Sequence, residues 1–317
     1  MFDAPVPPGG YAWWYLDAQS EDGRHGLVLI AFVGSVFSPY YAWSGRGEPE
    51  NHCAINLALY GTRRAENAWC MTERGRTALA RTPERFALGP STLCVTPEGL
   101  EITVRETSAP WPRRVVGRIT VRPTLVNASA FALDLAGRHM WRPIAPLASV
   151  SVEMETPGLA WTGQAYLDSN WGVEPLEVAF RRWTWSRRHL ADGRALIQYD
   201  VELRDGSAPP LTLEAGATGG LKRVEDKGAP RPLPRGVWGV DRAVRAEPDE
   251  AIRLVRTLED APFYTRSALT GGPPEAPSRI VHESLDLDRL TSPLVRLMLP
   301  FRMPRALAQG RPSNAPP

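Results

Sequence analysis

One carboxyl group lies in an aromatic stretch of the chain. Asp168 occurs in the segment AYLDSNWG, two residues after Tyr166 and three before Trp171. Aromatic neighbours withdraw a carboxyl group from water, which raises its pKa and keeps it protonated near neutral pH. Such a group can donate a proton to a substrate as a general acid. The alternative is a structural role, in which Asp168 accepts hydrogen bonds from backbone N–H groups in a turn or at a helix N-terminus.

Aromatic residues are clustered elsewhere as well. The 11 tryptophans outnumber both the 8 tyrosines and the 8 phenylalanines. The clusters indicate an apolar ligand cavity, or they fill a barrel core as most buried aromatic side chains do. Asp17 follows the first cluster, either as a second acid or as a residue that anchors a turn. The clusters are Tyr11, Trp13, Trp14 and Tyr15; Tyr40, Tyr41 and Trp43; and Trp183 with Trp185.

Common cofactor and metal motifs are absent from the sequence. It contains no GxGxxG segment that opens a βαβ unit, no Walker loop, no HExxH and no GxSxG. The 3 cysteines form no CxxC pair, and the 5 histidines never pair at short spacing. The net charge of +2 gives no field that would attract nucleic acid. We therefore predict no cofactor, no bound metal and no nucleic-acid partner.

The elements that position these residues are predicted to be β-strands. The 31 prolines and 27 glycines interrupt most windows of helical length, whereas short β-rich runs recur between turn residues. There are more such runs than one closed barrel of about eight strands requires. We therefore predict an all-β protein with two barrels or barrel-like sandwiches in tandem. The predicted strands are 27–37, 53–60, 101–106, 115–122, 147–154, 195–204, 252–259 and 279–286.

One helical pattern occurs near the C-terminus. From Leu287 onward, apolar residues recur at helical spacing with arginines among them, and Ser292 followed by Pro293 is typical of a helix start. This short helix either packs on a barrel or lies in a membrane interface. Pro300 is expected to kink or end it. The tail from Ala308 to Pro317 is predicted to be disordered.

The sequence also bears on cellular location. The N-terminal segment MFDAPVPPGG lacks the basic and apolar regions of a secretory signal. The longest apolar run, 27–37, is 11 residues, well short of the roughly 20 that span a bilayer. We predict a cytoplasmic protein that associates peripherally with a membrane, on the basis of the apolar and basic segment 287–305.

Longer stretches resemble one enzyme family. They are GGYAWWYLDAQSEDGRHGLVLIAFVGSVFSPYYAW, PENHCAINLALYG, RHMWRP, AYLDSNWGVEPLE and WTWSRR. They resemble the carotenoid 1,2-hydratases, or hydroxyneurosporene synthases, of phototrophic bacteria, within a lipocalin-like superfamily of hydratases and pericyclases. The resemblance covers nearly all of residues 9–290. It implies a lipocalin-like pair of barrels, which we assign to 1–176 and 177–290. The amphipathic helix and the tail then occupy 291–317.

The resemblance also implies an activity and a set of site residues. The activity is cofactor-free addition of water to the terminal C1–C2 double bond of an acyclic carotenoid of the neurosporene or lycopene type, at the inner or photosynthetic membrane. The family's His-x-Trp and Tyr-x-Asp segments match His139 with Trp141 and Tyr166 with Asp168. Relatives with other chemistry often carry His where this chain has Ser169, which favours the hydratase branch.

The chemistry of hydration assigns roles to these residues. Protonation of C2 leaves a tertiary cation at C1, which water then captures. We predict Asp168 as the acid, and His139 as a group that holds Asp168 or positions the water; a core histidine is the alternative. Aromatic faces of Trp141, Tyr166 and Trp171 could stabilise the cation. The predicted substrate-binding residues are Trp171, Trp14, Trp183, Trp185 and Tyr41.

Two other functions remain open at this point. A noncatalytic carotenoid or lipid carrier would share the aromatic lining and would not need a protonated acid. A lipocalin-like pericyclase would cyclise a polyene by shaping it. Product mass separates hydration from cyclisation, because only hydration adds one water.

Overall fold

The chain folds into two compact units. The computed structural model describes residues 1–206, 210–225, 228–273 and 277–306. The first unit contains Met1–Phe131, Arg138–Pro175 and the described residues from Leu297 onward; the second contains Ala132–Gly137 and Leu176–Arg296. The domain bounds inferred from the sequence stay a prediction. The predicted disordered tail lies outside the described residues.

Most of the first unit is one antiparallel sheet that is nearly closed into a barrel. Its strands are β1 (Tyr11–Ser20), β2 (Gly26–Val33), β3 (Cys53–Tyr60), β4 (Ala68–Arg74), β5 (Leu79–Arg81), β6 (Arg85–Leu88), β7 (Ser91–Thr96), β8 (Gly99–Thr107), β9 (Arg114–Leu125), β10 (Phe131–Ala132), β11 (His139–Thr156) and β12 (Leu159–Gly172). The order is β4-β3-β2-β1-β12-β11-β9-β8-β7-β6-β5, with β10 paired to β11. β1, β12 and β11 are therefore neighbours although they are far apart in sequence.

The interior of this sheet holds the hydrophobic core. Every strand from β1 to β9, together with β11 and β12, contributes buried apolar side chains to one cluster. On β1 these are the alternate residues from Ala12 to Ala18, and on β12 they include Ala165 and Leu167. Because side chains alternate between the two faces of a strand, the residues between them point to the opposite face. The core thus uses only half of the positions on β1 and β12.

A buried ion pair joins two distant parts of the first unit. Arg74, the last residue of β4, donates a 2.7 Å hydrogen bond to Oε2 of Glu106 on β8. Ser91 donates to the other carboxylate oxygen of Glu106 at 2.7 Å. Burial raises the pKa of Glu106, against the smaller lowering effect of Arg74 and Ser91. The pair holds β4 and β8 together where the sheet order leaves them unpaired.

The second unit is also antiparallel. Its strands are β13 (Phe180–His189), β14 (Ala195–Leu203), β15 (Leu211–Gly216), β16 (Gly220–Arg223), β17 (Ala229–Pro232), β18 (Ala243–Ala246), β19 (Arg253–Asp260), β20 (Tyr264–Gly271) and β21 (Ser278–Asp286). They form a sheet of order β16-β15-β14-β13-β21-β20-β19 and a separate β17-β18 ribbon. The all-β prediction is confirmed. That the second sheet forms a second barrel stays a prediction.

The helices are short and mostly capped by side chains. They are α1 (Pro39–Trp43), α2 (Leu176–Ala179), α3 (Leu287–Leu290) and α4 (Pro293–Arg302). Ser38 caps α1 by accepting from the Tyr41 N–H, and Asp286 caps α3 by accepting from the Arg289 N–H. The helical pattern predicted from Leu287 is thus present as two segments, with Pro300 inside α4. Among the described residues, no helix has the length and apolarity needed to cross a membrane.

Candidate active site

Three neighbouring strands bring the predicted catalytic residues to one face of the sheet. β12 pairs with β1 on one side and with β11 on the other. Asp168 lies opposite Tyr15 of β1, and the next position on the same face, Asn170, lies opposite Trp13 and Trp141. Tyr166, Asp168 and Asn170 share this face because they are two residues apart. The face, which we call the site face, is opposite to the hydrophobic core.

Asp168 is held by two of the predicted residues. Asp168 is buried, with only 4% of its surface exposed. Oδ2 accepts a 2.8 Å hydrogen bond from Nε1 of Trp141 and another of 2.8 Å from the hydroxyl of Tyr166. Both donors are neutral and both are directed at the same oxygen. In the neutral acid the proton therefore belongs on Oδ1, since Oδ2 already accepts two hydrogen bonds.

His139 belongs to a second polar group on the site face. Its Nδ1 lies 2.9 Å from the hydroxyl of Tyr11, and its Nε2 lies 3.5 Å from Oε1 of Glu174. Arg138 donates to the other oxygen of Glu174 at 2.7 Å. His139 is paired with Gly172, four positions from Asp168, which corresponds to about 13 Å along a strand. His139 thus contacts Tyr11 and Glu174, and its action on Asp168 or on the water stays a prediction.

Other aromatic side chains line the site face. The rings of Tyr15 and Tyr166 meet edge to face at 6.3 Å. Trp13 stacks on Tyr11 at 4.9 Å and is itself buried. Asp17 lies in the middle of β1 opposite Tyr166 and is fully buried, so the suggestion that it anchors a turn is wrong. Tyr11, Tyr15 and Glu174 were not assigned to the site from the sequence, because only the strand register brings them beside His139 and Asp168.

The predicted substrate-binding aromatics are not gathered at Asp168. Trp14 points into the core, where its ring lies 5.0 Å from that of Phe2, and Trp171 packs against the same core. Tyr41 lies in α1, where its hydroxyl donates to the carbonyl of Gly10 at 2.8 Å. Burial raises the pKa of Tyr41 to about 12. The structure therefore leaves these three residues off the site face.

Trp183 and Trp185 lie on β13 in the second unit. Both are buried, and Trp183 packs edge to face on Phe180 at 5.8 Å and near Tyr199 at 6.1 Å. They share one face of β13 because they are two residues apart. Within the described ranges, no group of three or more His, Cys, Asp or Glu side chains could hold a metal ion.

Comparison with known proteins places this chain among relatives over most of its length. A family model described as "Carotenoid hydratase CrtC" matches residues 29–311. The chain is 50% identical over 307 residues to an acyclic carotenoid 1,2-hydratase of Thiocapsa roseopersicina, covering 96% of this chain and 75% of the relative. It is 47% identical over 310 residues to the protein of the same name from Rubrivivax gelatinosus, with the same coverage of 96% and 75%.

A solved structure shares the fold at low sequence identity. Kievitone hydratase from Nectria haematococca superposes with a TM-score of 0.53 at 10% identity, over 89% of this chain and 90% of that chain. At this identity the likeness concerns the fold alone. The family model and the two relatives, in contrast, match this chain over most of its length. The chain belongs to the carotenoid hydratase CrtC family.

Proposed function

We propose that the protein is an acyclic carotenoid 1,2-hydratase that adds water to the terminal C1–C2 double bond of neurosporene- or lycopene-type carotenoids. Family membership supports the reaction class. The observation that carries the mechanism is the buried Asp168 carboxyl, whose Oδ2 accepts from both Trp141 and Tyr166. The product is a tertiary alcohol at C1.

In the first step, the proton on Oδ1 of Asp168 is transferred to C2. The π electrons of the double bond form the new C–H bond, and C1 becomes a tertiary cation. Burial favours the neutral acid before the reaction. As negative charge develops on the carboxylate, the hydrogen bonds from Trp141 and Tyr166 to Oδ2 become stronger. They therefore stabilise the transition state more than the ground state, which is the requirement for catalysis.

Aromatic rings near the carboxyl group can stabilise the cation that forms at C1. Tyr15 lies directly across from Asp168, and Tyr166 packs on it edge to face. A cation near the face of such a ring is stabilised by about 0.5 to 2 kcal/mol when water is excluded. Trp141 and Tyr166 can stabilise both the forming carboxylate and the cation. The polar end of each side chain donates to Asp168, while its ring lies on the site face.

Product analysis tests the reaction. Purified protein is incubated with lipid-dispersed lycopene or neurosporene, once in heavy-oxygen water and once in deuterium oxide. Hydration by this mechanism places the heavy oxygen at C1 and deuterium at C2. A cyclised product of unchanged mass would identify a pericyclase instead, and tight binding without turnover would identify a carrier.

We also propose that the protein is cytoplasmic and binds the membrane surface through α4. Leu294, Leu297 and Phe301 are 71%, 64% and 76% exposed, and their spacing puts them on one side of the helix. Arg302 lies in the last turn of the helix. An apolar surface flanked by basic residues suits insertion into the interface of an anionic bilayer. The proposed substrate also dissolves in lipid rather than in water.

Flotation with anionic vesicles tests this surface. Replacing Leu294, Leu297 and Phe301 together with Gln should abolish flotation, because it removes the apolar side chains that enter the bilayer. The matched control is Trp111→Gln, at a residue that is 80% exposed and lies outside the helix. Equal flotation of the triple variant and the parent would contradict the proposal.

Finally, we propose that the seven-stranded sheet of the second unit is a second lipocalin-like barrel. Its strands run antiparallel in one continuous order, and Leu233 and Val244 pack with Leu269 and Ile280 in a core of their own. Amide hydrogen exchange tests closure. Slow exchange along both edge strands, β16 and β19, supports a closed barrel, and fast exchange on both contradicts it.

A further inference from the structure

Asn170 is a buried amide that lies beside the proposed acid. It is 2% exposed and follows Asp168 by two residues on the same face of β12. Directly across from it are Trp13 of β1 and Trp141 of β11. Among the residues that the structure describes, its Nδ2 has no hydrogen-bond partner. Asn170 thus presents a polar group on the site face, between two indole side chains.

Such a group does not contribute to folding stability. A buried N–H group without a partner has lost its hydrogen bonds to water and has gained none, which costs free energy. An apolar side chain of the same size would pack between two tryptophans without this cost. Because the amide also lies on the site face beside Asp168, it is better explained by a small polar molecule that binds there during the reaction.

We propose that Asn170 positions the water molecule that captures the C1 cation. This inference rests on the hydration proposed above. The Nδ2–H group donates to one lone pair of the water, and the second lone pair forms the C1–O bond. One water proton then passes to the carboxylate of Asp168, which has just given its own proton to C2. One water has been added across the double bond, and Asp168 is again protonated.

The chemical properties of an amide suit this position. A carboxylate beside a tertiary cation could itself bond to C1 or remove a proton from the cation, and both reactions compete with hydration. The amide N–H does neither, because it is neutral and donates only. The backbone positions of Asp168 and Asn170 are about 6.6 Å apart along the strand, so a water that accepts from Nδ2 is bound beside the Asp168 carboxyl group. The acid and the water site thus serve adjacent carbon atoms.

The test separates protonation of C2 from capture by water. In Asn170→Leu, Asp168 still protonates C2, but the cation finds no positioned water and loses a proton again. In deuterium oxide, hydration should fall about 100-fold, the effect typical of removing one catalytic donor. The recovered substrate should carry more deuterium at C2 than substrate recovered from the parent. Asn170→Ser, which keeps a hydrogen-bond donor, should restore part of the hydration and reduce this exchange.

Ser169→Ala is the matched control. Ser169 is also buried, and its hydroxyl has no partner among the described residues, but it points to the opposite face of β12. This variant should hydrate at the parental rate without extra exchange. Parental hydration in folded Asn170→Leu, or loss of hydration and exchange together in both Asn170 variants, would overturn the inference. Hydration by the parent without deuterium at C2 would instead contradict the role proposed for Asp168.

Discussion

Strand β1 and residues 165–170 of β12 are buried on both faces, and the two faces differ in chemistry. The core face is mostly apolar and belongs to the cluster that fills the barrel, whereas the site face carries carboxyl, amide and hydroxyl groups between aromatic rings. Residues that are adjacent in sequence therefore belong to different environments. The core face includes Trp14, Leu16, Ala165 and Leu167; the site face includes Tyr15, Asp17, Tyr166, Asp168 and Asn170.

Alternate residues of one strand therefore serve different purposes: those on the core face stabilise the fold, and those on the site face form the candidate site. A register slip of one position would exchange the two faces, so the apolar core also fixes which residues reach the site. Substitutions on the core face should change the free energy of unfolding and leave the chemistry intact. Substitutions on the site face should do the reverse.

The largest expected effect is on the core face. Leu16 is 1% exposed, and Leu16→Ala should lower the free energy of unfolding by about 2 to 5 kcal/mol, because it removes buried methyl groups and leaves a cavity. Urea denaturation measures the change. At temperatures where the variant is folded, its kcat should equal that of the parent. A loss of kcat without a loss of stability would contradict the separation of the faces.

Removing either donor to Asp168 is the matching change on the site face. Tyr166→Phe and Trp141→Phe should each lower kcat about 100-fold, because each removes one hydrogen bond that stabilises the carboxylate as it forms. The free energy of unfolding should fall by only about 1 kcal/mol. Steady-state kinetics and urea denaturation on the same samples provide both values.

The pH profile of these variants gives a further check. In the proposed mechanism only the protonated acid donates to C2, so activity should decline on the alkaline side of the pH profile. The hydrogen bond from Tyr166 favours the ionised carboxylate, and its loss favours the protonated acid. The alkaline limb should therefore move to higher pH in Tyr166→Phe. An unchanged profile with parental kcat would show that the hydrogen bond has no catalytic role.

The smallest overall effect is expected at Trp14. Its indole packs against Phe2 in the core, so Trp14→Phe should cost about 1 kcal/mol of stability and leave both KM and kcat unchanged. A raised KM at parental stability would mean that Trp14 contacts the substrate and that the faces are not separate. Thermal unfolding and kinetics together decide between these outcomes.

Much of the sheet could be predicted from sequence, but the strand segments that carry the site residues could not. The predicted strand 53–60 coincides with β3, and the run 147–154 lies within β11. The predicted set omits β1 and β12, whose residues 11–18 and 165–170 are buried on both faces and therefore lack the alternation that reveals a strand. It also omits β13. The aromatic and polar residues of these segments are interpreted as a candidate site and not as strands.

The candidate site could be predicted from the sequence only in part, for a similar reason. Residue type and family resemblance identified Tyr166, Asp168 and Trp141, which the structure brings into contact. They could not distinguish Trp13 from Trp14, because adjacent residues on a strand point to opposite faces and only pairing decides which face is the core. Glu174 reaches His139 through the pairing of distant strands, which no local pattern encodes.

The most direct measurement of the central claim is turnover by Asp168→Asn in deuterium oxide. Asn has nearly the same shape and can still accept from Trp141 and Tyr166, so the variant should fold with a Tm close to that of the parent. It has no acidic proton, so hydration should fall by at least about 1000-fold, and neither product nor recovered substrate should carry deuterium at C2. Turnover by the folded variant above a few per cent of the parental rate, with deuterium at C2, would show that another group delivers the proton.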